Sequence, residues 1–201
     1  VFNYKSIKMK RLIFLILLLP LSISAQYAVA DFFVINEGKE KDYEKLEMAW
    51  SIFRQNQIDK GQKMDWAVWK ITPRKDDRAN AADYVVFNQF KTKEEMDKYL
   101  KGDSNFSYSS AASIMRRGMK GMSKNSILRL ITPSKNKIKK EVRTYQIQIL
   151  DATPFTGGDL KIGEKINMGA MVQKSDDYEQ MESNIYKPYV LEQVKNGLHR
   201  G

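Results

Sequence analysis

The 201-residue chain carries 34 Lys and Arg against 24 Asp and Glu, a net charge of +10, and it has no cysteine. The missing cysteine excludes disulfides, thiolate metal sites and lipid attachment through an N-terminal cysteine. Hydrophobic residues make up 42% and aromatic ones 11%, without low-complexity tracts, which excludes a disordered chain.

The first element is an export signal. Met9 is followed by Lys10 and Arg11, then an unbroken apolar run from Leu12 to Leu19, Pro20, and the stretch Ser22-Ile23-Ser24-Ala25. A basic start, a short apolar run and small residues at the exit form the pattern of a cleavable bacterial secretory signal. The run is too short to span a bilayer. Residues 1–25 are therefore expected to leave, with Met9 as the true start and Gln26 at or near the mature N-terminus. Ala28-Val29-Ala30 is a weaker cleavage site. The mature protein is expected to be periplasmic or secreted, without a transmembrane anchor.

Loss of Lys5, Lys8, Lys10 and Arg11 lowers the charge to +6. Ten of the remaining cations fall between residues 116 and 143, against Glu141 alone. Arg116, Arg117, Lys120, Lys124, Lys137, Lys139 and Lys140 are the candidates for contact with an anionic envelope surface such as lipopolysaccharide. An exported protein seldom meets nucleic acid, so no nucleic-acid partner is expected. The bland alternative is a solvated basic connector.

Along the mature chain, Tyr27–Ile35 has the β-branched and aromatic density of a strand. A helix is predicted over Lys39–Lys60, with Tyr43, Leu46, Trp50 and Phe53 on one face and Gly61 as its left-handed C-cap. Strands follow at Asp65–Thr72, where Ala67, Trp69 and Ile71 share a side, and at Tyr84–Phe90. Thr92-Lys93-Glu94-Glu95 is a capping box opening a helix through Leu100. A small-residue helix is expected at Ala111–Met122 and a strand at Val142–Leu150. The order strand, helix, strand, strand, helix, strand predicts an α+β fold: a ferredoxin-like βαββαβ unit with an antiparallel sheet and both helices on one face.

The chain also repeats itself. Asp42-Tyr43-Glu44-Lys45-Leu46-Glu47 matches Asp177-Tyr178-Glu179-Gln180-Met181-Glu182. After a one-residue insertion, Trp50 aligns with Tyr186, Phe53 with Tyr189, Gln57 with Gln193, Ile58 with Val194 and Gly61 with Gly197. A strand is expected before the second copy at Lys165–Gln173, with Ser175, Asp176 and Asp177 as an acidic N-cap. Pro188 is expected to kink or break the helix. The predicted organisation is thus a signal at 1–25, a ferredoxin-like unit at 26–151, and a linker with an incomplete second unit at 152–201. The expectation is that the chain is shortened at its C-terminus.

The element order, the aromatic helix face and the Gly61…Trp66-Ala67-Val68-Trp69 junction resemble the dimeric α/β-barrel superfamily. The resemblance covers Tyr27–Leu150, with a partial second copy at 165–201. It implies two ferredoxin-like units pairing their sheets, either as a homodimer or within one chain. The superfamily includes cofactor-independent monooxygenases, haem-degrading enzymes and exported proteins without known function.

Chemistry is sparse. His199 is the only histidine, which argues against haem ligation and against a Ser-His-Asp set. Glu40–Glu47 reads as a solvated helix face, and Met115, Met119 and Met122 as core. No metal site, cofactor or catalytic residue is assigned. Asn36, Trp50, Trp66, Trp69 and Asn88 are the candidates to line an apolar ligand pocket. Two functions follow: a non-enzymatic exported module binding a small ligand or a partner, and a cofactor-independent oxygenase acting on an aromatic or quinone-like substrate.

Overall fold

The computed structural model describes residues 27–72, 81–102, 106–153, 161–166, 168–169 and 173–199. The export segment, Pro73 and Gly157-Gly158 lie outside the described residues. The chain divides into two compact units, Val1–Gln148 and Ile149–Gly201.

In the first unit, the elements are β1 (Tyr27–Ile35), α1 (Glu40–Asp59), β2 (Asp65–Lys70), β3 (Tyr84–Phe90), α2 (Lys93–Lys101), α3 (Tyr108–Met115), α4 (Lys124–Ile131), α5 (Pro133–Asn136) and β4 (Lys139–Gln148). The sheet order is β2-β3-β1-β4, with every neighbouring pair antiparallel. Because β3 lies between β1 and β2, the β1–α1–β2 crossover is split, which is the ferredoxin-like topology.

Strand alternation sorts the sheet into two faces. Phe33, Tyr84 and Val86 join Tyr43, Leu46 and Ala49 of α1 in the main core, together with Ala111, Ala112, Met115, Ile127, Ile131 and Ile138. A smaller cluster holds Val29, Phe90 and Met96 beside Tyr99. The register therefore places Val29, Asp31, Asn88, Trp66, Val142, Thr144 and Gln146 on this helix-side face. Ala30, Phe32, Phe87, Trp69 and Tyr145 occupy the other face, where Phe32 and Tyr145 meet edge to face at 5.6 Å.

Local chemistry sets the ends of the elements. Thr92 Oγ1 accepts from the Glu95 N–H at 3.2 Å, and Glu95 Oε2 accepts from the Lys91 N–H at 3.0 Å. That is the capping box, with its return bond one residue earlier than usual. Helix α1 closes in a Schellman turn: the Gly61 N–H reaches the Ile58 carbonyl at 2.8 Å, and the Gln62 N–H reaches that of Gln57 at 2.9 Å. Gly61 sits at φ 68°, where a Cβ is strained.

The largest departure from expectation is the basic segment. The predicted helix Ala111–Met122 ends at Met115. A turn follows in which Gly118 passes so close to α1 that a Cβ there would stand 2.6 Å from Ile52 Cδ1. Two further helices, α4 and α5, occupy what read as a connector. Helix α4 buries Ile127 and Ile131 while its cations face outward, so ordinary amphipathicity is responsible. Met115 and Met119 are buried in this core, and Met122 packs against it. Strand β4 begins at Lys139, three residues before the predicted start, and ends at Gln148.

The second unit contains α6 (Tyr178–Met181), a π-helical segment (Glu182–Tyr186) and α7 (Lys187–Lys195). The strand expected at Lys165–Gln173 lies partly outside the described residues; Lys165, Ile166, Met168, Gly169 and Gln173 are not in a strand. Asp177 takes the N-cap position but makes no side-chain cap bond. The π segment coincides with the one-residue insertion of the repeat. A π turn holds one extra residue per turn, so the helix absorbs both the insertion and the donor missing at Pro188 without breaking. Its end repeats the α1 turn: the Gly197 N–H reaches the Val194 carbonyl at 3.0 Å, and the Leu198 N–H reaches that of Gln193 at 2.9 Å.

Gly61→Ala is expected to destabilise the first unit by about 1–2 kcal/mol, read from urea denaturation. An unchanged midpoint would contradict the strained turn.

Candidate functional site

Helix spacing places Tyr43, Glu47, Trp50 and Arg54 along one stripe of α1. Tyr43 is fully buried and Glu47 is 7% exposed. Two further ionisable groups rise from the sheet below. Asp31 lies on the helix-side face of β1, and Lys139 pairs in register with Ile35 across the bulge that ends β1. Lys139 Nζ stands 3.6 Å from the centroid of the Phe33 ring and 5.7 Å from that of Tyr43. The loop after the α1 Schellman turn delivers Lys63, which is only 4% exposed. Its ammonium group donates to Asn88 Oδ1 at 2.5 Å and lies 4.7 Å from the Tyr99 ring centroid.

Burial dominates the electrostatics of this cluster. It pushes the Lys63 ammonium down to about 6, with Arg54 adding to the effect and Asp31 opposing it. It also lowers Lys139, which Glu47 partly restores. Glu47 is raised by burial, with Lys139 working against the shift. Tyr43 and Tyr99 are raised for the same first reason. The Tyr43 hydroxyl lies near enough to Glu47 to feel its charge, but the geometry falls short of a hydrogen bond.

The cluster has a way to solvent. Val142, Thr144, Gln146 and Gln148 lie on the helix-side face of β4 and are all exposed, Val142 by 50%. The helix layer thus stops short of β4 and leaves its inner face open. Beside that face lies the half-buried Asp31, whose Oδ1 accepts from Thr144 Oγ1 at 2.6 Å. One rung of the sheet, Trp66–Asn88–Val29–Gln146, runs from the interior to this open strand.

Of the residues singled out in the sequence, Asn88 and Trp66 are cross-strand neighbours on the helix side, and Trp50 lies above on α1 against Phe53 and Phe106. Trp69 is on the opposite face of the sheet. Asn36 serves the backbone, its side-chain amide donating to the Lys137 carbonyl at 2.8 Å. Trp66 and Arg117 border a surface depression of 520 Å³ with Ile52, Asn56 and Asp59. Arg116, Lys120 and Lys124 surround a separate 490 Å³ bowl with Met119 and Met122. Lys137 and Lys140 are exposed. Lys139 corrects the expectation of a surface cation, since it points inward over Phe33. Glu47 likewise corrects the reading of Glu40–Glu47 as a wholly solvated face.

Asp31, Glu47, Arg54, Lys63 and Tyr99 escaped the sequence reading. A carboxylate and a guanidinium at positions 47 and 54, in step with Tyr43 and Trp50, were the available signal. Among the described residues no group of three His, Asp or Glu side chains could hold a metal ion. The arrangement is suited to gripping a polar molecule and to exchanging protons with it.

No known family profile matches the chain, and no curated protein matches it. Solved structures do. A protein from Bacteroides fragilis, described as dimeric with a ferredoxin-like fold and of unknown function, is 5% identical over 63% of this chain and 98% of its own, with TM-score 0.36. A dimeric ferredoxin-like protein of unknown function from Thermobifida fusca is 12% identical over 63% of this chain and 92% of its own, with TM-score 0.36. A hydroxynitrile lyase from Passiflora edulis is 8% identical over 65% of this chain and 98% of its own, with TM-score 0.39. These are likenesses of fold; the ferredoxin-like assignment rests on this chain's own strand order.

Lys63 makes a testable contribution to stability. An unfolded lysine titrates near 10.4 and the folded one at about 6, so between those values the unfolded state binds more protons. Stability then rises with pH, by up to about 1.4 kcal/mol per unit. Lys139 acts in the same sense and Glu47 in the opposite one. Lys63→Met is expected to flatten the slope of unfolding free energy between pH 6 and 9, measured by urea denaturation. Equal slopes in the two proteins would contradict the burial of a neutral amine.

Proposed function

We propose that the protein is an exported module that binds a small molecule in the groove between α1 and the uncovered helix-side face of β4. One observation carries the reading. Ionisable side chains from β1, α1, the α1–β2 loop and β4 meet beside the only strand that the helix layer leaves bare among those described. Burying such groups costs more than burying apolar ones of the same size. A cluster kept at that cost, with a route to solvent, is where ligand contact is expected. Export rests on the pattern of residues 9–25.

The opposite face of the sheet, with Phe32, Phe87, Trp69 and the 54% exposed Tyr145, is suited to pairing with a second copy. Cofactor-independent catalysis in the same groove is the second reading. Its support is that burial pushes Glu47 up and Lys63 down, the directions in which catalytic acids and bases are tuned.

Native mass spectrometry of the protein isolated from its own source tests the first reading. The expected result is a chain beginning at Gln26 that carries a small molecule, with the adduct lost in Thr144→Trp, which fills the groove. A wild-type protein free of any adduct, or an adduct indifferent to Thr144→Trp, would count against it.

A further inference from the structure

We infer that the recess formed by Asn88, Arg54 and Lys63 is the acceptor-binding end of the groove, taking a carboxylate or carbonyl oxygen carried on a small flat body. The inference rests on the groove being the ligand site, and it adds the polarity and shape of what enters. It begins from hydrogen bonds that are not made. Asn88 is fully buried, and its Oδ1 is occupied by the Lys63 ammonium. The amide therefore presents only N–H, and Nδ2 has no partner; Arg54 Nε is also buried without one. Leaving such donors bare costs about 1–3 kcal/mol each. The unused capacity of Asn88 and Arg54 is of one kind, since amide N–H and guanidinium N–H donate and do not accept.

The charges agree. Among the described residues neither Arg54 nor Lys63 belongs to an ion pair, although the structure forms several elsewhere. Arg54 sits 5.3 Å from the Trp50 ring centroid and 5.7 Å from that of Tyr99. Lys63 faces Tyr99 and Phe90. Glu47 and Asp31 act on these two groups through space without forming an ion pair to either, and the rings supply a flat apolar wall. From Asn88 to Gln146 is two strand spacings along one rung, about 10 Å. An oxyanion arriving in the recess draws Lys63 towards its charged form, so binding takes up a proton.

Calorimetry with benzoate and aniline, which share a ring but differ as acceptor and donor, provides the test. Benzoate is expected to bind saturably and aniline at least tenfold more weakly. Benzoate affinity should fall at least tenfold in Asn88→Asp, which keeps size but replaces the free donor with an acceptor, and in Lys63→Met. In wild-type protein at pH 7.5, binding heats in phosphate and Tris should differ in the sense of proton uptake, a readout that needs no variant to fold. Absence of benzoate binding, preference for aniline, no proton uptake, or affinity unchanged by Asn88→Asp would each overturn the inference. Thr144→Trp separates it from the reading beneath. Binding blocked by Thr144→Trp but indifferent to Asn88→Asp leaves the groove and removes the recess. Binding sensitive to Asn88→Asp but indifferent to Thr144→Trp does the reverse.

Discussion

Helix α1 lies across a four-stranded sheet that is wider than the helix layer above it. Tyr43, Leu46 and Ala49 secure the helix over β1 and β3, and residues of α3 and α4 join them in the same core. Nothing in the described helices covers the inner face of β4. The same helical stripe that carries Tyr43 also carries Glu47 and Arg54, so Glu47 is buried with it and Arg54 half-buried. The Schellman turn at Gly61 then fixes where the next residues go, and Lys63 is directed inward against Asn88. The open face of β4 and the buried charges beside it are consequences of one helix placed on one part of one sheet.

Much of that architecture was legible beforehand, because its determinants are local. Strand β3 was read with its observed limits, since Tyr84–Phe90 is dense in β-branched and aromatic residues. The capping box at Thr92 and the glycine at 61 marked helix ends through chemistry that acts over three or four residues. The sequence match of 42–61 with 177–197 has its one-residue insertion where the structure forms a π turn next to Pro188. Helices α4 and α5 were not legible, because ten cations in 28 residues masked the four-residue spacing of Ile127 and Ile131. Charge density is a property of the outer face of α4, whereas folding is decided by the inner one.

The site was less legible than the fold for a similar reason. Asn88 was among the pocket candidates named from the sequence. Lys63 and Glu47 were not, since whether a charged side chain is buried depends on what a distant segment places over it. Lys139 shows the same limit from the other side: a member of a basic run by sequence, it turns under α1 because the β1 bulge sets its register with Ile35. Burial of these groups is a cost in stability, and the proposed ligand site beside them is the use offered for it.

A crystallographic screen of small aromatic fragments, including carboxylates, tests the account most directly, because it asks only where molecules settle. The account predicts density in the groove beside β4, touching Asp31, Thr144 or Gln146, with acceptor oxygens directed at Asn88. Density confined to the bowl of Arg116, Lys120 and Lys124 or to the depression beside Trp66, with the groove empty, would contradict it.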